Sequence, residues 1–156
     1  MKKFLVSAGA AVLFALIGCS SLQLQPADFS WAAEELVEVG AKGMVEAKRY
    51  SVAFTVTPLL AKEFAADSMA AKSVKELHLI RDKAGFYYIT GKKFKNVYVL
   101  TQSEGALAVD NTIVISADKA MENPIFDQKD SYIELRNGKD IVHLTKGGVQ
   151  QAGGKK

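Results

Sequence analysis

Cysteine occurs once in this sequence, at position 19, which excludes an intramolecular disulfide framework and any Cys-rich zinc site. Histidine occurs twice and proline three times. No Gly-x-Ser-x-Gly elbow is present, and neither Gly-x-Gly-x-x-Gly nor a Walker A sequence occurs. Nucleotide binding therefore has no support, and no cofactor is implied. Charge of one sign is not in excess: 20 Lys and Arg face 17 Asp and Glu, a net of +3. Two of those three charges are Lys2 and Lys3. No Lys/Arg stripe remains to give nucleic acid an electrostatic footprint. Hydrophobic residues make up 49% of the chain and charged residues 24%. Those ordinary values exclude collagen, a polar disordered chain and a multi-pass membrane protein. The length is that of one domain.

Long apolar runs are also missing. The single candidate, Phe4–Ile17, covers about fourteen residues, or roughly 21 Å as a helix. A bilayer core of about 30 Å needs roughly 20 residues. A basic head, a short apolar run and small residues at its end describe a secretory signal segment, set aside from fold reasoning. The run closes on Leu16-Ile17-Gly18-Cys19.

That tetrapeptide resembles the lipobox of bacterial lipoprotein signal peptides. The resemblance covers residues 1–19 only. It implies that Cys19 is diacylglycerylated on its thiol, that the chain is cut between Gly18 and Cys19, and that the new amino group is acylated. Palmitate-type chains on Cys19 would then anchor the mature protein to the cell membrane. Several acyl chains hold far more firmly than one, at about 0.8 kcal/mol per buried CH₂. Ser20 follows the Cys; by the same resemblance, the lack of Asp there implies the periplasmic face of the outer membrane in a Gram-negative host.

The expected organisation is a signal peptide at 1–18, a lipidated Cys and tether at 19–30, a β domain at 31–146 and a disordered Gly/Lys tail at 147–156. Strand signals bounded by Gly turns recur through the domain. They lie at Leu36–Val39, Tyr50–Thr57, Val74–Arg81, Phe86–Thr90, Phe94–Thr101, Ala106–Ser116, Tyr132–Arg136 and Asp140–Thr145. Trp31–Val39 has helical composition, but the nearby Gly40-x-x-Gly43 turn favours a strand, hairpinned to Tyr50–Thr57. Asp110-Asn111 marks a kink. Thr57-Pro58 starts one short helix near 58–66, and 67–73 read as a loop. Asn137-Gly138 predicts a type I′ turn pairing Arg136 with Lys139, Glu134 with Ile141, Ile133 with Val142 and Tyr132 with His143. The fold class is mostly β: a single antiparallel meander of about eight strands, as a small barrel or a sandwich, with one short helix.

Candidate chemistry is sparse. His78 and His143 lie in separate strands, with Glu76 and Glu134 of suitable parity, and solvent-facing strand histidines are the default; no metal site is assigned. Glu104 and Asp110 flank a strand but sit in turns, so no catalytic residue is assigned and the chain leans away from being an enzyme. Tyr87, Tyr88, Tyr98 and Tyr132 form a possible binding surface, since strand tyrosines can stack on sugars or peptides. Tyr87 and Tyr88 are adjacent and must point opposite ways, so one is exposed unless both sheet faces are covered. Lys92-Lys93 and Lys155-Lys156 read as solvated. The expected function is a membrane-anchored envelope lipoprotein, a non-catalytic binding or assembly module facing the periplasm with a protein or cell-wall partner. One alternative is a lipocalin-like barrel carrying a small apolar ligand against Val97, Val99 and Ile115. Another is a hydrolytic or metal-dependent envelope enzyme.

Overall fold

A computed structural model describes residues 33–65 and 67–150. The expected signal peptide, the Gly18–Cys19 cleavage site, the tether at 19–30 and the end of the tail at 151–156 lie outside the described residues. The described chain is mostly β and antiparallel, as the alternating patterns predict. Its strands are β1 (Glu35–Glu38), β2 (Met44–Ala47), β3 (Val52–Thr55), β4 (Glu76–Arg81), β5 (Tyr87–Thr90), β6 (Asn96–Ser103), β7 (Ala106–Val114), β8 (Pro124–Gln128), β9 (Ile133–Asn137), β10 (Asp140–Thr145) and β11 (Gly148–Gln150). Two helices, α1 (Thr57–Phe64) and α2 (Ser68–Ser73), stand between β3 and β4.

Eleven strands replace the expected eight, and each addition has a local reason. β2 (Met-Val-Glu-Ala) is too short to show a period and exists because β3 pairs with it. β8 begins on Pro124, which looks like a loop signal. A proline is tolerated at the first residue of an edge strand, where no ladder donor is needed; β8 is such an edge. β11 pairs with β10 and draws residues 148–150 of the expected tail into the sheet. β1 is a strand, but its partner is β4 rather than β3. Residues 68–73 form α2 instead of a loop, because the Asp67 side chain caps it by accepting the Ala70 amide at 2.8 Å. The expected kink is a bulge: Val99 pairs with Asn111 and Leu100 with Val109, leaving Asp110 extra.

The last hairpin is shifted from its expected register. Asn137 pairs with Asp140, Leu135 with Val142 and Ile133 with Leu144. Gly138, at φ +65°, takes the first central turn position, where a II′ turn places Gly. Asn137 stays in the strand because its side-chain oxygen accepts the Glu122 and Asn123 amides at 3.0 and 3.1 Å.

The strands form a five-stranded sheet in the order β1-β4-β5-β6-β7, a four-stranded sheet in the order β11-β10-β9-β8, and the separate β2-β3 hairpin. The large sheet is open, so the barrel option is not realised. Cross-strand partners share a face. On one face lie His78, Ile80, Tyr88, Thr90, Val97, Val99 and Ile113. The four-stranded sheet covers this face, with β8 beside β4 and β11 beside β7. On the other face lie Val37, Leu77, Leu79, Tyr87, Ile89, Tyr98 and Leu100. Here α1 and the β2-β3 hairpin supply the cover: Tyr98 Oη donates to Glu63 of α1 at 2.8 Å, and the ring of Tyr50, in the β2-β3 turn, meets the ring of Tyr87 edge-on at 5.7 Å. β5 is consequently buried along its whole length.

Candidate functional site

The two-sided cover removes most of the expected tyrosine platform. Tyr87, Tyr88 and Tyr98 are 3%, 1% and 1% exposed. The Tyr88 hydroxyl donates to Asp82 and the Tyr98 hydroxyl to Glu63. Burial, with those carboxylates beside the hydroxyls, pushes both phenols well above the ordinary tyrosine range. These three rings are core, not contact surface. Only Tyr132 is partly exposed, stacked on His143 with centroids 4.2 Å apart.

The two histidines belong to different carboxylates. His78 Nδ1 lies 2.8 Å from Glu34 Oε1, whereas His143 Nε2 lies 3.8 Å from Glu134 Oε2. Glu134 also holds Arg136 at 2.6 Å. No cluster of three or more His, Cys, Asp or Glu suited to a metal occurs among the described residues. Val97 and Val99, expected against a barrel ligand, are fully buried between the sheets, and Ile115 is packed against the core.

The chain joins the domain through a dense set of contacts at one end of the large sheet. The Ala33 carbonyl accepts from Tyr50 Oη at 2.7 Å. Glu34 Oε1 accepts the Phe126 amide at 2.8 Å besides meeting His78. The Glu35 carboxylate accepts the Arg49 amide at 3.1 Å. Residues 33–35 are thereby fastened to β4, β8 and the β2-β3 turn. Gln128 Oε1 is the exception at this end, buried with no hydrogen-bond partner among the described residues beside a pocket of about 250 Å3.

The opposite end, where β1 finishes and β4 begins, carries an open groove of about 530 Å3 between α1, α2 and the Gly40–Gly43 turn. Val39, Leu60, Phe64, Ala71 and Val74 make its apolar wall. Lys42, Lys72 and Lys75 stand on its rim, and among the described residues none of them forms an ion pair. Its one carboxylate, Asp67, is committed to the cap of α2. A second groove shares Val74 and Lys75 and adds Lys92 and Lys93.

Local sequence holds each wall in place. Gly43 has φ +74°, and a Cβ there would stand 2.2 Å from Thr57 Oγ1. Only glycine lets the turn close on the start of α1. Glu63 fastens α1 to the sheet by accepting the Lys95 amide at 2.5 Å and the Asn96 side chain at 2.8 Å, besides Tyr98. Lys42 is at φ +59°, a conformation that disfavours side chains. The sequence reading missed this groove. Asp67 three residues before the Ala70 amide was its one local signal, and the wall otherwise draws on four separate segments. Searches of known protein families, of characterised proteins and of solved structures found no match to the chain.

Proposed function

We propose that the protein is a lipid-tethered module of the bacterial cell envelope that binds a ligand or partner without catalysing a reaction. Cys19 is the lipidated residue, and Gly18 precedes the cut. In a Gram-negative host the domain faces the periplasm from the outer membrane.

The observation that carries this reading is the polarity of the β domain. Residues 33–35, which lead back toward Cys19, are fastened at one end of the large sheet, and the lysine-rimmed groove opens at the other. Thirteen residues, and so fourteen backbone steps, separate Cys19 from Ala33. At 3.3–3.6 Å per residue they reach at most about 50 Å. A tether of that reach lets the groove end meet a partner away from the anchoring surface. The non-catalytic part of the reading draws on the histidines, each spent on a separate glutamate.

Replacing Cys19 tests the anchor. Cys19→Ala is expected to leave the membrane fraction after a high-salt wash, whereas the unchanged chain stays. A mutant that remains with membranes after that wash overturns the lipid anchor. Crosslinking in the native envelope then identifies what the groove end touches.

A further inference from the structure

The groove between α1 and α2 has two chemistries that few ligands match together. Its wall is aliphatic and aromatic, from Val39, Leu60, Phe64, Ala71 and Val74. Its rim is cationic, and the three rim lysines have no ion-pair partner among the described residues. The volume of about 530 Å3 lies within the roughly 300–1,000 Å3 of small-molecule sites. α1 has eight residues and runs about 12 Å. That length suits an alkyl chain of medium length laid along the helix.

We propose that this groove binds a single-chain anionic amphiphile, a fatty-acid carboxylate, with the alkyl chain against Leu60, Phe64, Ala71 and Val74 and the head group at Lys42, Lys72 and Lys75. The proposal rests on the preceding reading only in taking the groove as the binding end; it does not need the lipid on Cys19. Charge complementarity selects the head. A cationic amphiphile would be repelled by the three exposed ammonium groups and a neutral one would gain nothing from them, while a carboxylate pairs with them. Lys75, Lys92 and Lys93 in the adjoining groove outnumber its one carboxylate, Glu76, and add to the same positive field. The backbone at Lys42 supports the choice. Its φ of +59° is one that glycine adopts freely, yet a lysine stands there among the residues that line the groove.

The test uses the full chain in bilayer discs of phosphatidylcholine, photolabelled with a diazirine-bearing dodecanoate and mapped by mass spectrometry. Labelling is expected to concentrate on peptides spanning residues 57–75. Unlabelled dodecanoate should compete for it about tenfold better than dodecanol or dodecyltrimethylammonium, the sum of a few partly exposed charge contacts. Ala71→Trp, which fills the groove, should abolish the focused labelling. Exchanging Lys42, Lys72 and Lys75 together for Glu should remove the preference for dodecanoate over dodecanol. Lys42→Gly, which suits the local backbone and keeps the fold, should weaken labelling severalfold. Thermal melts of each variant separate loss of binding from loss of folding. Label scattered over the chain, or equal competition by all three amphiphiles, overturns the proposal. Cys19→Ala, mixed in solution with the same discs and probe, should label as the unchanged chain does. Focused labelling that appears only when Cys19 is replaced would assign the groove to the protein's own acyl chains and also overturn it.

Discussion

The two ends of the five-stranded sheet solve different problems. Where residues 33–35 enter the sheet, polar groups are spent on one another: Ala33 on Tyr50, Glu34 on His78 and Phe126, Glu35 on Arg49, Asp82 on Phe86 and Tyr88. At the groove end, three lysines lack an ion pair among the described residues and a half-buried apolar wall of Val39, Phe64 and Ala71 fronts the groove; Lys42 and Lys93 there sit at positive φ, as Ser51 does at the first end. On the proposed reading the first end carries the attachment and the second the ligand, and binding sites commonly give up local stability. Glu63 is what keeps the second end attached, since its carboxylate joins α1 to β6 through three donors.

Breaking that attachment should have the largest effect. Glu63→Ala leaves the Tyr98 hydroxyl, the Asn96 amide and the Lys95 N–H without their acceptor. About 3 kcal/mol of stability should go, read as a lower midpoint in urea unfolding. A loss below about 1 kcal/mol would mean that α1 is held by packing alone. Glu34→Ala should cost about 2 kcal/mol, because the Phe126 amide and His78 lose one shared acceptor. Amphiphile labelling should show the groove unaffected, since neither Glu34, His78 nor Phe126 lines it. If Glu34→Ala also abolishes labelling of the groove, the two ends are not independent.

Alkaline pH probes the core between the ends. Tyr88 and Tyr98 have folded pKa values raised above the ordinary value near 10, first by burial, and Tyr50 is raised as well. A raised folded pKa means that these tyrosines contribute their full stability below pH 10. That contribution is lost as pH climbs past 10 toward the folded values. Unfolding free energy should therefore fall steadily above pH 10, and Tyr88→Phe should flatten the fall. A flat profile to pH 12 would show that these hydroxyls are solvated.

Smaller effects sharpen the contrast. Lys42→Gly should raise stability by up to about 1 kcal/mol, since glycine adopts φ +59° without strain. A stabilised variant with weaker amphiphile labelling would be direct support for a binding end that trades stability for function. At the other end, Gln128→Met removes an unpartnered buried oxygen together with the Gln128 amide's bond to the Lys129 carbonyl. The two changes oppose each other, so the urea midpoint should move little.

Much of the fold was legible because alternation is a local property. Val52 and Phe54 turn inward along β3, and Val56 just beyond its end does the same, as their spacing requires. The bulge at Asp110 sits where Asp-Asn interrupts an apolar run. The last hairpin was legible in its partners but not its register. Asn-Gly is a strong turn signal, yet the side chain of Asn137 was already engaged by Glu122 and Asn123, residues of a different loop. The tyrosines were misread for a similar reason. Adjacency of Tyr87 and Tyr88 proves that they point opposite ways, but says nothing of how many layers cover the sheet.

The sequence by itself determined the mostly-β class, the antiparallel pairing, the turn glycines and the start of α1 at Thr57-Pro58. Backbone period and φ preference are written within a few residues of where they act. Only the tertiary structure decided that both faces of the large sheet are covered, that three tyrosines are core, and that Val39, Leu60, Phe64 and Val74 share a groove with three lysines. Those outcomes depend on contacts between segments far apart in the chain, whose energies exist only once the sheet, the hairpin and the helices have come together.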